Sequence, residues 1–505
     1  MDSAPEKISA FEKRVKRQAI GKPHRFLAIV PLGFEQTFVQ EMFRRETRDE
    51  RRENDSRHPE PQSGEGSSPE NITYNIIGDG KIEFTAKLVE AWKIVAFSRI
   101  ANRVLMHIAD FKAENFRDLE KKAAEIPWEL FLDTRDFPSN SELGTSNSLQ
   151  IHVTCKHSRL YHSDAVAERL QKVIEGGSLP LAAAPAGSSA TPSPKGSTPK
   201  TPKAEGNVPP QNIYVTLIDD RCTVWLDLAG EELYKRGHER FVNDAPLKET
   251  IASAMLFEAI STLHIIHHQS SIINYPLSIA LIDPMSGSGT FSLEAAYMAN
   301  GFIPGKCRDF ALKHQPAFKP ATWNFLIRRE ERHPEQREGS RAEVSTSPIH
   351  KIITSDISEK AVEIIRHNAS IGPLATDAPS GPAINPQHRD FFSYTADEIA
   401  DACPGNTAPV IVLNPPYGKR LDFDAPRLYT RLGRRLAELA RALAPLGKKL
   451  TVGILAPKDI PATKYTCTAN LLRECPALDP AQNANVKFIV TSHGGLTLNA
   501  IFATI

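Results

Sequence analysis

Leu281-Ile282-Asp283-Pro284-Met285-Ser286-Gly287-Ser288-Gly289-Thr290 is an apolar run that ends in an acid and turns through two glycines, and the fold hinges on it. Ile279 to Ile282 is short and continuously apolar, as expected of a strand buried on both faces. Phe291 to Asn300 has helical spacing and is stopped by Gly301. The order is therefore strand, glycine loop, helix. Gly287 and Gly289 offer backbone positions that accept positive φ and let a ligand come close where a Cβ would block it. The free N–H groups of the helix start would face that ligand. Taken alone, Gly-Ser-Gly-Thr has little specificity, because the third glycine of a dinucleotide fingerprint is replaced by Ser292, and an ordinary tight turn reads the same way.

A second stretch supplies the context. Pro409-Val410-Ile411-Val412-Leu413 is again an apolar strand, and it runs into Asn414-Pro415-Pro416-Tyr417-Gly418. Ligands of open α/β sheets bind outside the carboxyl ends of the strands, so the two loops are expected to share one crevice. This pairing resembles the class I methyltransferases, which use S-adenosylmethionine and methylate exocyclic amino groups of nucleobases. The resemblance implies a Rossmann-like, mostly parallel seven-stranded α/β sheet. It places Asp283, Pro284, Ser286, Gly287, Gly289 and Thr290 around the cofactor, and Asn414, Pro415, Pro416 and Tyr417 at the reacting amino group.

Between the two motifs, Lys351 to Ser355 reads as a strand ending at Asp356, with Ser358 capping a helix whose Ala361, Ile364, Ile365 and Ala369 share one face. A carboxylate at that strand tip is placed to accept hydrogen bonds from a ribose diol, although an acid can also merely terminate a strand. The resemblance assigns Asp390, in His388-Arg389-Asp390-Phe391-Phe392, to the adenine amino group, with Phe391 flanking the ring. It also sets Pro246 and Leu247, ahead of a helix from Ile251, over the methionine end; the plain alternative is a proline near a first helical turn.

The chemistry explains the choice of Asn414. The lone pair of a nucleobase amino group is delocalised into the ring, so its nitrogen is a poor nucleophile. Two acceptors on its N–H bonds, the Asn414 side-chain oxygen and the Pro415 carbonyl, would localise that pair and aim it. The prolines restrict φ and bring no competing N–H, and Tyr417 offers a face on which an extruded base can stack. No strong general base and no metal is expected. Lys419 and Arg420 follow at once, suited to a flanking phosphate. Ser286 and Lys419 depart from the family pattern, where a cysteine and an acid are more usual.

A length of 505 residues suggests two or three domains, and a net charge of +1 excludes a globally basic nucleic-acid binder. The 6 cysteines show neither a C-x-x-C pair nor zinc spacing. No signal sequence or bilayer-length apolar run is evident, so a soluble cytoplasmic protein without membrane contact is expected; a monomer is a separate expectation.

Residues 1–23 read as a basic helix with Ile8, Phe11, Val15 and Ala19 on one face. Residues 24–95 and 96–240 alternate short strands and helices. With the phrase Leu233-Tyr234-Lys235-Arg236-Gly237-His238, they resemble the ferredoxin-like plus THUMP α+β module that precedes the methyltransferase domain, here 241–505, in bacterial 23S ribosomal RNA guanine-N2 methyltransferases. Polar inserts are expected at 49–70, 176–211 and about 329–348, two of them carrying the same Arg-His-Pro-Glu phrase. Downstream, Leu428, Leu432, Leu436, Leu439 and Leu443 form a core stripe, and strands around His493-Gly494-Gly495 form a closing hairpin.

The combined expectation is methyl transfer to a guanine N2 of 23S ribosomal RNA or a large-subunit assembly intermediate. A transfer RNA guanine methyltransferase is the alternative enzyme. A non-catalytic RNA-binding or assembly factor is the alternative of another class, against which the intact Asp283, Gly287, Gly289, Asp356 and Asn414 argue.

Overall fold

The strand Ile279–Asp283 (β1) is buried along its whole length, as its unbroken apolar run requires, and the C-terminal sheet is built outward from it. In the computed structural model, which describes residues 9–56, 72–133, 149–176, 208–242, 246–269, 278–331, 348–375, 381–417, 424–460, 462 and 465–505, six further strands join β1. They are Ile349–Asp356 (β2), Gln387–His388 (β3), Ala408–Leu413 (β4), Thr451–Pro457 (β5), Lys487–His493 (β6) and Leu496–Thr504 (β7). The spatial order is β3-β2-β1-β4-β5-β7-β6. Neighbours pair in parallel except β7, which runs antiparallel to both β5 and β6. This is the fold of a class I methyltransferase, with strand order reversing beside β1 so that β1, β2 and β4 end at a common crevice.

The closing hairpin has the expected two-residue turn: Gly494 and Gly495 take φ of 58° and 76°, the positive pair that matches strand twist. The helix Ala425–Leu443 buries Leu432, Leu436, Leu439 and Leu443 against the sheet, together with the helix Cys467–Glu474. Leu428, partly buried, packs against the same core and also reaches the crevice.

The described chain forms two compact units, and they do not follow chain order. One comprises Met1–His24, Leu105–Glu231 and Asp309–Lys319; the other Arg25–Val104, Glu232–Arg308 and Pro320–Ile505. In the first, strands Gln211–Ile218 and Arg221–Asp227 form an antiparallel pair, Leu149–Lys156 adds in parallel, and helices Phe116–Ala124 and Ser163–Ile174 cover one apolar core containing Leu119, Val166, Leu170 and Val215. Val15 and Ala19 are buried as expected, whereas Phe11 is exposed and Ile8 lies outside the described residues.

The second unit joins the C-terminal sheet to a small α/β element: strands Tyr74–Gly78 and Lys81–Lys87 around Asp79-Gly80, with helices Glu35–Ser56 and Leu88–Phe97. The first helix runs to Ser56, past residue 49 where an insert was expected to begin. Residues 45–56 are mostly Arg, Glu and Asp, and Arg and Glu are good helix formers that also pair along a helix, so polarity alone does not mark a helix end. Likewise the helix Pro320–Glu331 enters the expected third insert. The second expected insert overlaps the strand Gln211–Ile218 at its end, and residues 57–70, 177–207 and 332–347 of the inserts, with Lys419 and Arg420, lie outside the described residues.

A buried ion cluster is one of the links between this element and the C-terminal sheet, beside the Thr37 hydroxyl, which donates to Glu258. Glu294, 0% exposed on the helix Thr290–Ala299 behind the glycine loop, accepts from Arg236 Nε and Nη2, both at 3.1 Å, and from Ser253 Oγ at 2.6 Å. Arg99 approaches the same carboxylate at 3.5 Å, while its backbone N–H donates to Glu41 at 2.7 Å. Burial pushes the Glu294 carboxyl up, but Arg236 and Arg99 outweigh it and hold the group below its ordinary range.

Glu294→Ala leaves two buried guanidiniums without their acid, and unfolding free energy should fall by about 3–5 kcal/mol in a urea titration. A loss under about 1 kcal/mol would contradict the cluster's role. Since the folded pKa is depressed, this contribution is present above about pH 4.3 and is lost as pH falls through the folded value.

Candidate active site

Beyond the ends of β1, β2 and β4 lies a cavity of about 1590 Å³. The glycine loop forms one wall. Gly287, at φ 56°, has open space where a Cβ would stand, so a ligand can approach its backbone. Gly289 does different work from the one expected of it: at φ 79° it starts the helix, and a Cβ there would sit 3.0 Å from Ile365, so the glycine lets the loop pack on the helix Glu359–Ala369. Ser286 fastens the loop, donating from N at 3.1 Å and from Oγ at 2.7 Å to the Ser355 carbonyl.

Asp283 also lies behind the loop and does not line the cavity. Its Oδ2 accepts from Ser292 N at 3.2 Å and Ser292 Oγ at 2.7 Å, and that hydroxyl meets Thr354 Oγ1 at 2.7 Å. The serine at the missing-glycine position is thus the partner of the acid. Asp283 is 0% exposed and its Oδ1 has no hydrogen-bond partner; burial, opposed by Ser292 and reinforced by the Asp356 charge, pushes its carboxyl up to about 7.

Asp356 ends β2 at the cavity. Its Oδ2 accepts from Gly287 N at 2.8 Å and its Oδ1 from Ser358 N at 2.9 Å, which fixes the carboxylate and leaves further lone pairs for hydroxyl donors. Asp390 follows β3, accepts from Phe392 N at 3.1 Å, and faces the same space with Phe391 and Phe392. Pro246 and Leu247 close another side, and Pro284 and Thr290 complete the loop wall.

At the end of β4, Asn414, Pro415, Pro416 and Tyr417 all line the cavity. The Tyr417 hydroxyl donates to Asn414 Oδ1, and the Tyr465 hydroxyl donates to the Tyr417 carbonyl, so the loop is fastened at both ends. Burial, with Tyr465 adding to it, pushes the Tyr417 hydroxyl up, so it stays protonated and keeps donating at neutral pH. A carbonyl oxygen has two lone pairs, so Asn414 retains one acceptor position.

Several lining residues escaped the sequence reading. Ile357 is 68% exposed although apolar, and it follows Asp356 directly, a juxtaposition that could have flagged it. Arg427 and Arg431 carried no such signal, being hidden in a leucine-striped helix. His493, read as a turn residue, also lines the cavity. Arg240 supports the loop from outside: its Nη2 donates to Ser288 Oγ at 3.1 Å and to Thr290 Oγ1, and its Nη1 pairs with Glu249 at 2.5 Å. Among the described residues, no group of His, Cys, Asp and Glu could hold a metal, and no helix is long and apolar enough to cross a membrane.

The donor set fits a nucleoside-bearing cofactor. A carboxylate pair at the β2 and β3 tips suits a diol and an amino group, Ile357 and Phe391 offer apolar faces, and Thr290 and Phe291 bring the start of the helix Thr290–Ala299, with its dipole, to the cavity wall.

Residues 278–447 match the family model of the RMKL-like methyltransferase domain. The chain is 27% identical over 346 residues to ribosomal RNA large subunit methyltransferase K/L of Alteromonas mediterranea, covering 68% of this chain and 40% of that protein. The corresponding protein of Psychromonas ingrahamii is 27% identical over 358 residues, 70% of this chain and 40% of its own length. The chain therefore spans about two fifths of these curated relatives. Among solved structures, a methyltransferase in complex with SAH superposes with a TM-score of 0.60 at 20% identity, covering 95% of this chain and 98% of that one. A predicted N6-adenine-specific DNA methylase from Listeria monocytogenes gives 0.60 at 17% identity, covering 99% of each chain. These likenesses bear on the fold.

The raised Asp283 pKa sets a pH dependence of stability. The folded protein keeps this proton up to about pH 7, while the unfolded chain releases it near pH 3.9, so the associated stability is fully present below about pH 3.9 and is lost as pH rises through 7. In thermal melts without ligand, Asp283→Asn, which keeps an acceptor for Ser292, should gain on the wild type between pH 4 and 7 and hold a constant margin above 7. A margin independent of pH would contradict the assignment.

Proposed function

We propose that the chain transfers a methyl group from S-adenosylmethionine to the exocyclic N2 of a guanine in large-subunit ribosomal RNA, acting as a cytoplasmic monomer. The observation that carries this reading is the meeting, around one cavity, of Gly287, Asp356 and the run Asn414-Pro415-Pro416-Tyr417. The names of the relatives support the RNA substrate, and the matched methyltransferase domain supports the reaction class.

S-adenosylmethionine, when bound, supplies an electrophilic methyl group on a sulfonium. Asp356 and Asp390 would hold its ribose and adenine, Gly287 and Ser288 its backbone-facing edge, and Pro246 and Leu247 its methionine end. Asp283 and Gly289 act through the loop, the former by holding Ser292 and the latter by seating the helix.

The chain's own contribution to the chemistry centres on Asn414. Its oxygen, oriented by the Tyr417 hydroxyl, accepts one N–H of the guanine amino group, and the Pro415 carbonyl accepts the other. Those two bonds draw the nitrogen toward a pyramidal geometry and direct its lone pair into the cavity. Tyr417 and Pro416 keep the base in place, and orientation supplies the rest of the barrier reduction. The methylated nitrogen is briefly cationic and acidic, and its proton passes to Asn414 or water without a strong base.

The test is tritium transfer from methyl-labelled S-adenosylmethionine to undermodified ribosomal and transfer RNA fractions, followed by nucleoside mass analysis. N2-methylguanosine should appear in large-subunit RNA with the wild type, and Asn414→Ala should lower the rate roughly 100-fold or more while cofactor affinity is kept. The nucleoside in transfer RNA instead would move the assignment to that substrate. Cofactor binding with no transfer to either RNA or to assembling particles would overturn it.

A further inference from the structure

We propose that Arg427 and Arg431 bind phosphate groups of the substrate RNA strand beside the target nucleotide, at the mouth of the cavity. The inference rests on the RNA reading above and adds a named contact to it. The two residues stand one helical turn apart on Ala425–Leu443, and both line the cavity, as does Leu428 on the same face. The opposite face of this helix is spent on the core, where Tyr429, Leu432 and Leu436 are 0% exposed.

The other arginines of the helix are engaged. Arg434 pairs with Glu474 at 2.7 Å; Arg435 pairs with Glu438 at 3.0 Å and donates to the Tyr394 carbonyl; Arg441 donates to the Ala437 carbonyl at 3.1 Å. Arg427 and Arg431 have no carboxylate partner among the described residues. Asp424, the nearest acid on this element, spends its Oδ1 on Arg427 N at 3.0 Å as the helix cap. Arg431 instead lies over an aromatic ring, its guanidinium carbon 3.9 Å from the Phe392 ring centroid, which steadies the charge without neutralising it.

Like charges one turn apart repel, and a shared anion relieves that. Charge is also unevenly spread over the cavity: the acids Asp356 and Asp390 stand at the tips of β2 and β3, whereas on the helix that follows β4, the strand that ends in Asn414, the two arginines outnumber the capping Asp424. A strand of RNA entering from this side can put a neutral base at Asn414 while its phosphates remain with the guanidiniums. That geometry makes the arginines backbone contacts, which position the strand without reading its sequence.

The test uses the double variant Arg427→Gln/Arg431→Gln of the full chain, with thermal melts to confirm folding. Binding of a fluorescent single-stranded RNA containing guanine is titrated at several salt concentrations, and binding of S-adenosylhomocysteine is measured in parallel. Loss of two phosphate contacts should reduce the slope of log K against log salt by about 1.4 and weaken binding at low salt, with S-adenosylhomocysteine affinity unchanged. An unchanged slope overturns the proposal while RNA methylation by the wild type leaves the functional reading standing. An equal loss of S-adenosylhomocysteine affinity also overturns it, because the arginines would then serve the cofactor. A wild type that neither binds nor methylates RNA removes both.

Discussion

A carboxylate with no exposure to solvent survives in a protein only if its charge is answered on the spot, and Glu294 is answered by Arg236, Arg99 and Ser253 together. The position of that acid gives the cluster its reach. It lies one turn into the helix that starts at the glycine loop, so the segments carrying Arg99 and Arg236 are fixed to the element on which the cavity depends. Four residues beyond Arg236, Arg240 bridges Ser288, Thr290 and Glu249, extending the same bracing to the loop itself.

With the helix held, the loop is set from below by polar contacts. Asp283 grips Ser292, Ser286 grips the Ser355 carbonyl, and Asp356 reaches back to Gly287 N. The last bond ties the acid at the tip of β2 to the turn after β1, linking two walls of the cavity. The Asn414 loop is fastened by different means, through Tyr417 and Tyr465. Preorganisation of this kind places acceptors where charge develops and reduces the reorganisation left to the reaction.

Much of this was legible because it is local. An apolar strand running into glycine or into Asn-Pro-Pro-Tyr announces itself within ten residues, and Asp356 is marked by the strand it ends. What was hidden is what depends on distance. Gly287 and Gly289 look alike as letters, yet one faces open space and the other faces Ile365, which comes from a helix more than seventy positions later. Ser292 reads as a lost glycine until Asp283 is seen beneath it. Arg236 and Glu294 are separated by 58 positions, and no periodicity links them. Leu428 belongs to the core stripe by spacing and packs against that core, yet it also reaches the cavity, and Arg427 and Arg431 line the cavity beside it. The gathering of Arg25–Val104 with the C-terminal sheet has the same origin, since a contact between remote segments leaves no trace in the composition of either.

The central claim is that one cavity serves both the cofactor and the reacting amino group. Its most direct test is an experimentally determined structure of the protein with S-adenosylhomocysteine. The claim predicts the ribose hydroxyls within hydrogen-bond distance of Asp356, the adenine beside Ile357 and Asp390, and the sulfur facing Asn414. Density for the ligand elsewhere, or a sulfur turned away from Asn414, would contradict it.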